Sequence, residues 1–376
     1  MANRPPRTIN VNMMVVIQRL CAMTTNTAGS TTTQQTRRRY LQALSVGATG
    51  AAAGLAGCLG DDEPDEVELR FSGCHPEAGT NMGQFQVLFK EIVEENSDGE
   101  ITIDNFFEGE LGGTLEVMES VQEGTVDMNA CHHYPGGADL FGIPELAFLS
   151  SPFIFEDYSD ALVATDPENS DFAQEMYDRQ LEEANTRVLA SFAFGTRCFS
   201  MVEDRVTSPE EVGGARIRGP EGDLMEAVIR GLGGEPVLID WGETPQALAT
   251  GLADGIEQIL WALELEPIVE NTEYLILTRH MSEVIGCTIN EDTFQGLSET
   301  HQEILQESAI EARDEHLPGA LERDQGRVDR IEDAGLEVID EDAGLQLDQF
   351  RESVFGEMES QFPDWEDARE RLTAAL

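Results

Sequence analysis

The phrase Val121-Gln122-Glu123-Gly124-Thr125-Val126-Asp127-Met128 returns in form as Leu248-Ala249-Thr250-Gly251-Leu252-Ala253-Asp254-Gly255. Each copy stops a helix at a glycine, adds a short apolar step and places an aspartate at the entry to a strand. A chain that does this twice alternates helix and strand in two places, which commits it to an α/β class with a largely parallel sheet. The same phrase also serves as an ordinary helix-to-strand connection; two related lobes account for both copies. Val67-Glu68-Leu69-Arg70-Phe71 alternates as a strand. A helix is expected from about residue 83 to 95, with Phe85, Leu88, Phe89, Ile92 and Val93 on one face, and a second strand over 101–107. About 310 residues follow the leader and tether, large for one core and suited to two lobes.

Charge divides the chain sharply. Of its 376 residues 73 are acidic and 23 basic, a formal net charge of -50, yet the first 57 residues hold six arginines and no acid. Lys90 is the only lysine. So acidic a surface repels nucleic acid and anionic headgroups, which excludes a nucleic-acid partner. With 40% hydrophobic residues the chain can still fill a core, so the acids read as a solvated shell rather than as disorder. Such a halophilic shell suits concentrated salt, where a Debye length of about 3 Å at 1 M removes the self-repulsion.

Within the leader, Thr36-Arg37-Arg38-Arg39-Tyr40-Leu41 reads as a twin-arginine export signal. An apolar Ala/Gly-rich stretch over 43–55 and the lipobox Leu55-Ala56-Gly57-Cys58 follow. The apolar run is too short to span ~30 Å of hydrocarbon. Cleavage before Cys58, lipid attachment there and an extracytoplasmic protein held at the outer face of the cytoplasmic membrane are therefore expected. Met23 gives a normal polar start to the signal, so the residues before it read as an over-extended start. The run from Asp61 to Glu66 is an acidic tether.

Candidate binding chemistry centres on Ala215-Arg216-Ile217-Arg218. Ser208-Pro209-Glu210-Glu211 before it has the spacing of a capping box at a short helix. Strand alternation puts Arg216 and Arg218 on one face, and the turn 219–223 leads into a helix whose stripe is Leu224, Met225, Val228, Ile229 and Leu232. Residues 237–239 are expected as a buried strand. Ligands of open α/β sheets bind at the carboxyl ends of strands. A guanidinium there, beside a helix N-terminus, suits a carboxylate held by two parallel N–H···O bonds. Arg218 is assigned that role, and Arg216 a structural ion pair. Arg197, in Phe194-Gly195-Thr196-Arg197-Cys198, is expected at a strand end, as a second anion contact or as a buried partner for acids at a hinge.

Cys74-His75 and Cys131-His132-His133 are expected just after strands; with Cys198 and Cys287 they offer metal-ligand types, but in no zinc spacing. No metal and no cofactor are assigned. A disulfide between two of these four cysteines is open, and spacing does not select the pair. No nucleophile elbow, P-loop or dinucleotide fingerprint is present, so the chain is not read as an enzyme. A secreted enzyme or metal-binding protein using the Cys/His loops is the rival class.

The order of motifs resembles the extracytoplasmic solute-binding subunits of tripartite ATP-independent periplasmic (TRAP) transporters, in a DctP-like, haloarchaeal-type lipoprotein form. The resemblance runs from about residue 67 to at least 312. It rests on Glu110-Leu111-Gly112-Gly113, the two phrases quoted at the outset with the second running from Ala247 on to Ile256-Glu257, Pro152-Phe153-Ile154-Phe155, Gly195-Thr196-Arg197 and Arg216-Ile217-Arg218. It implies a two-lobed periplasmic-binding-protein clamp with hinge strands and a long interlobe helix, closing on a small organic acid for the small and large TRAP membrane subunits. The boundaries that follow are 1–57 for the signal, 58–66 for the tether, 67–194 with about 283–323 for lobe I, and 195–282 with about 324–376 for lobe II.

The family's carboxylate-gripping arginine falls on Arg218 and its second arginine on Arg197. Its covering aromatic falls on Trp241, and first-lobe pocket positions fall near Cys74 and His132. His75, Gln258 and Trp261 complete the candidate ligand-binding set. Gln258 stands where many members have asparagine, and Gly219 where valine is usual, which implies extra space. Trp241, Trp261, His132, His133 and Tyr134 imply a ring-rich pocket, and with it a keto or aromatic acid rather than sialic acid or a C4-dicarboxylate. A sensor for a signalling receptor is the alternative destination.

Overall fold

The computed structural model describes residues 66–239 and 241–376. The twin-arginine motif, the lipobox with Cys58 and the tether before Glu66 lie outside the described residues. Nine strands are described: β1 Val67–Ser72, β2 Ile101–Phe106, β3 Met128–His132, β4 Thr186–Met201, β5 Arg216–Gly219, β6 Glu235–Leu238, β7 Gly255–Ile259, β8 Tyr274–Asn290 and β9 Glu337–Ile339. The helices that bear on the site are α1 Asn81–Asn96, α2 Thr114–Gln122, α3 Tyr134–Phe141, α4 Asp223–Gly231, α5 Thr244–Ala249, α6 Glu299–Asp333, α7 Leu347–Gln361 and α8 Trp365–Ala374.

The strands form one mixed sheet in the order β2-β1-β3-β8-β4-β7-β5-β6, with β9 paired to β8. β1 lies parallel to β2 and β3, and β5 parallel to β6 and β7, so each flank is a parallel βαβ unit. Local chemistry explains both. The Thr80 hydroxyl caps α1 by accepting from Gly83 N at 2.9 Å, and Phe85, Phe89 and Val93 bury the face that packs on the sheet. In β2 only Ile101 and Ile103 turn fully inward, the alternation of a half-buried strand.

The repeated phrase is a structural repeat. α2 ends before Gly124 at φ +74°, and α5 before Gly251 at φ +68°, a left-handed conformation that favours glycine. The aspartate that follows clamps the neighbouring parallel strand. Asp127 accepts from Arg70 N and Nε at 2.9 and 3.0 Å, and Asp254 from Arg216 N and Nε, both at 2.9 Å. Arg216 is thus the counterpart of Arg70, a strand-to-strand tie at an exposed edge.

β4 and β8, of 16 and 17 residues, pair antiparallel from Thr186 opposite Asn290 to Met201 opposite Tyr274. The far end of β8 carries β3 and the far end of β4 carries β7, so both strands run through both lobes of the fold. Their ladder shifts register between Ala193 and Gly195 and again between Arg197 and Phe199. Arg197 therefore lies in the middle of a long strand and not at a strand end.

α6 runs for 35 residues, started by the Ser298 hydroxyl, which accepts from His301 N at 3.2 Å. One face, including Leu305, Ala309, Ala312, His316, Ala320, Asp324 and Ile331, is buried. Its Arg327 donates both to the Gly79 carbonyl, ahead of α1, and to Glu264, beyond β7. α8 returns across the fold, where the Trp365 indole donates to Ser151 Oγ at 3.1 Å.

Two local expectations change. The strand expected over 237–239 is β6, an edge strand with Leu238 43% exposed, because the sheet ends there. The capping box is offset: Ser208 Oγ accepts from Glu211 N, but Glu211 accepts from Thr207 N rather than from Ser208 N.

Candidate functional site

A cleft of about 610 Å³ opens where the carboxyl ends of β1, β3, β5 and β7 converge on the register shifts of β4 and β8. Cys74, His75 and His133 line it from beyond β1 and β3, with the loop 108–116 beside them. Arg218, Trp241, Gln258 and Trp261 line it from the β5–β7 flank, and Phe194, Arg197 and Glu283 form its floor. Seven of the eight candidate ligand residues meet here.

His132 is the exception. It is fully buried, its Nε2 lies 3.0 Å from Gln180 Oε1, and its ring stacks on Phe141, so the cleft wall belongs to His133. The reason is local: His132 is still the last residue of β3, which is buried along its whole length, whereas His133 is the first residue beyond the strand, so the position implied by the resemblance is off by one. Tyr134 also turns inward, its hydroxyl 2.6 Å from Ser191 Oγ.

Arg218 sits in the cleft wall at only 3% exposure, recessed from the acidic surface. Its Nε and Nη2 donate to the Ile239 carbonyl at 3.0 and 2.8 Å, which fixes the plane of the guanidinium, and its Cζ lies 5.7 Å from the Trp241 ring centre. α4 begins a few residues later at Asp223, so the positive end of a helix dipole stands beside the same wall. Gly219 adds no space to the cleft: a Cβ there would meet Ile229 Cδ1 at 2.3 Å.

Arg197 is engaged on both sides. Its Nε and Nη2 grip Glu257 bidentately, each at 2.7 Å, and its Nη1 reaches Glu283 Oε2 at 2.8 Å. His280 Nε2 meets Glu257 Oε1 at 3.1 Å, and His133 Nδ1 meets Glu283 Oε1 at 3.1 Å. Burial works against ionising Glu257, yet the Arg197 charge and these hydrogen bonds outweigh it and bring its pKa down to about 2. Glu283 is lowered by the same opposition. Of the two roles open to Arg197, the geometry favours the hinge partner. Glu257 was visible in the sequence only as the last residue of a quoted motif, with no role assigned, and Glu283 did not stand out among 73 acids.

Rings cover one wall. The His75 ring centre lies 4.8 Å from that of Trp261 and 5.2 Å from that of Phe194, and His133 meets Phe194 edge-on at 4.7 Å. Burial, and then the nearby His133, drop the His75 pKa to about 3, so this ring is neutral.

Cys74 and Cys131 form a disulfide, with Cα atoms 5.9 Å apart, that pins the loop after β1 to β3. Cys198 and Cys287 are buried thiols whose ionisation burial pushes up, Cys198 to about 12. Of these four cysteines two are thus joined to each other and two are buried as free thiols. Reducing the disulfide, or replacing both residues by serine, should cost about 2–4 kcal/mol of stability, because the bridge closes a long loop. A melting temperature indifferent to reductant would count against this.

The family described as bacterial extracellular solute-binding protein, family 7 (DctP), matches residues 71–360. The chain is 27% identical over 285 residues to the ectoine-binding periplasmic protein TeaA of Halomonas elongata, covering 71% of this chain and 80% of that one. It is 27% identical over 252 residues to the 2,3-diketo-L-gulonate-binding periplasmic protein YiaO of Escherichia coli, covering 67% and 74%. A TRAP periplasmic solute-binding protein of Chromohalobacter salexigens, solved with bound D-glucuronate, superposes with a TM-score of 0.71 at 24% identity, over 82% of this chain and all of that one. A match over most of the chain, with a two-lobed fold and a cleft at its carboxyl-end crevice, means that the chain belongs to bacterial extracellular solute-binding protein family 7.

Proposed function

We propose that the protein captures a small organic carboxylate outside the cytoplasmic membrane and passes it to the membrane subunits of a TRAP transporter, with Arg218 gripping the carboxylate as the lobes close. The observation that carries this reading is a buried guanidinium in the wall of the cleft, at a strand end beside a helix N-terminus. Trp241, Gln258, His75 and Trp261 complete the contacts, and Arg197 holds the floor. The ligands in the names of related proteins, ectoine and 2,3-diketo-L-gulonate among them, are carboxylates. We place the lobe boundary where β4 and β8 cross the register shifts, near Gly195 and Glu283, and so at 67–194 with about 283–323 against 195–282 with about 324–376.

The twin-arginine signal and the lipid at Cys58 would export the chain folded and hold it near its transporter. Among the described residues no helix is long and apolar enough to cross a membrane. Thermal-shift screening against an organic-acid library in high salt tests the reading. At least one carboxylate should raise the melting temperature, and a library without a hit would sink it. Independently, adding about 1 M salt to dialysed protein should raise its melting temperature, because screening relieves acidic self-repulsion. No change would remove the halophilic reading.

A further inference from the structure

We propose, on the lobe boundary drawn above, that His75 and Trp261 form a clasp between the two lobes and that the Cys74–Cys131 bridge is the positioning device for it. The clasp acts in the unliganded protein, where it sets the ratio of drawn-together to parted lobes. Three observations converge on it.

The first is where Trp261 packs. It follows β7 on the β5–β7 flank, yet Ile259 and Ala262, close to it in sequence, are buried in the hydrophobic cluster of the β1–β3 flank, with Leu69, Phe71 and Phe85. Trp261 itself packs against that cluster, and its ring centre lies 4.8 Å from that of His75, with the planes 30° apart. A ring contact of this kind adds to the burial of area, so it favours whichever arrangement of the lobes keeps it.

The second is how the His75 ring is held. Its Nδ1 is buried without a hydrogen bond. Burial, and then the nearby His133, outweigh Glu283 and hold its pKa at about 3, so no acid fixes the ring as a cation. Packing and its own backbone therefore place it.

The third is register. β1 pairs with β3 through Phe71 opposite Met128 and Ser72 opposite Asn129, then leaves the sheet while β3 runs on to His132. Cys74 and Cys131 each lie two residues farther along. The disulfide thus continues the pairing covalently, by one more same-face step, at the end of the strands where the cleft opens. His75 is the next residue. On the β2 side its loop is held by backbone bonds, Glu108 N to the His75 carbonyl and Gly109 N to the Gly73 carbonyl, both 3.1 Å; on the β3 side it is held by the bridge. A ring beside a covalent tie has less freedom to lose on meeting Trp261, so the bridge favours the clasp.

Two measurements on the unliganded protein in high salt decide the matter. Fluorine NMR follows the three tryptophans as 5-fluorotryptophan, with lines assigned through Trp241→Phe and Trp261→Phe. Spin labels on Leu115→Cys and Leu238→Cys, both exposed and on opposite lobes, report the distance between the lobes. His75→Ala keeps the bridge, and Cys74→Ala with Cys131→Val removes it but keeps an apolar filling. Both should move the Trp261 line toward its unfolded position and shift the ratio of near to far label pairs about 3- to 10-fold toward far. His75→Phe, which keeps a ring, should hold both readouts near native. The line of Trp365, buried in another cluster, should stay in place throughout. Native readouts in His75→Ala would overturn the clasp, and native readouts in the bridge variant would overturn the positioning role. A Trp365 line that moves with that of Trp261, or a bridge variant too unstable to fold, would mark the disulfide as a staple of the whole fold and overturn that role as well.

Discussion

Arg197→Met is expected to cost about 3–5 kcal/mol of folding stability, measured by denaturant unfolding at neutral pH in high salt. The cost does not come from losing three hydrogen bonds in water. Glu257 and Glu283 are 0% and 2% exposed, and the guanidinium is the charge that keeps both ionised there. Without it, each carboxylate must take up a proton or admit water into the crossing of β4 and β8. Adding Glu257→Gln to Arg197→Met should therefore restore part of the loss, a coupling that independent sites would not show.

The pH dependence carries a sign that tests the same array. In the native protein Glu257 is lowered from an ordinary 4.5 to about 2. Its contribution is fully present above pH about 4.5 and is lost as pH falls through about 2. In Arg197→Met, burial acts without the opposing arginine and raises both carboxylates. The variant's deficit should then shrink on acidification, because protonation removes the stranded charge. A deficit that stays constant from pH 7 to pH 4, or no deficit at neutral pH, would mean that the array is not organised around Arg197.

Legibility from sequence followed the range of each interaction. The two βαβ flanks were readable because helix stops, glycines and strand-entry aspartates are local, and the Arg70–Asp127 and Arg216–Asp254 ties repeat the same device. The position of Arg218 in the cleft wall was readable because alternation within a short strand and the turn after it fix one face. What failed was non-local or broke a period. The resemblance placed the pocket histidine only to within a residue, on His132 inside β3 rather than on His133 just beyond it, and the edge position of β6 exposed an apolar stretch that looked internal. The Cys74–Cys131 bridge joins residues 57 apart, and four cysteines allow several pairings. Glu283, and the role of the motif residue Glu257, were hidden by abundance: one carboxylate among 73 carries no signal until the fold removes it from water.

Arg218→Ala is expected to leave the fold intact and to cost about 2–5 kcal/mol of ligand affinity, the loss that follows when one member of a desolvated charge pair is removed. The fold should survive because the guanidinium sits in the cleft wall at the end of β5, while Ile217 on the opposite face carries the packing of that strand. Its bonds to the Ile239 carbonyl are charge-assisted, but they end on a single neutral acceptor in a nearby loop, which water can satisfy once the side chain is removed from the cleft wall. Arg218→Lys should not rescue binding. An ammonium is a point charge and cannot direct two parallel N–H groups at a carboxylate, and it lacks the planar face that Arg218 turns toward Trp241. The two variants should therefore sit close together in calorimetry and far from the native protein, with melting temperatures near native in the absence of ligand. Native affinity in the alanine variant would remove Arg218 from the site. Full rescue by lysine would keep the charge but refute the fork, and would make electrostatic attraction alone the basis of selection.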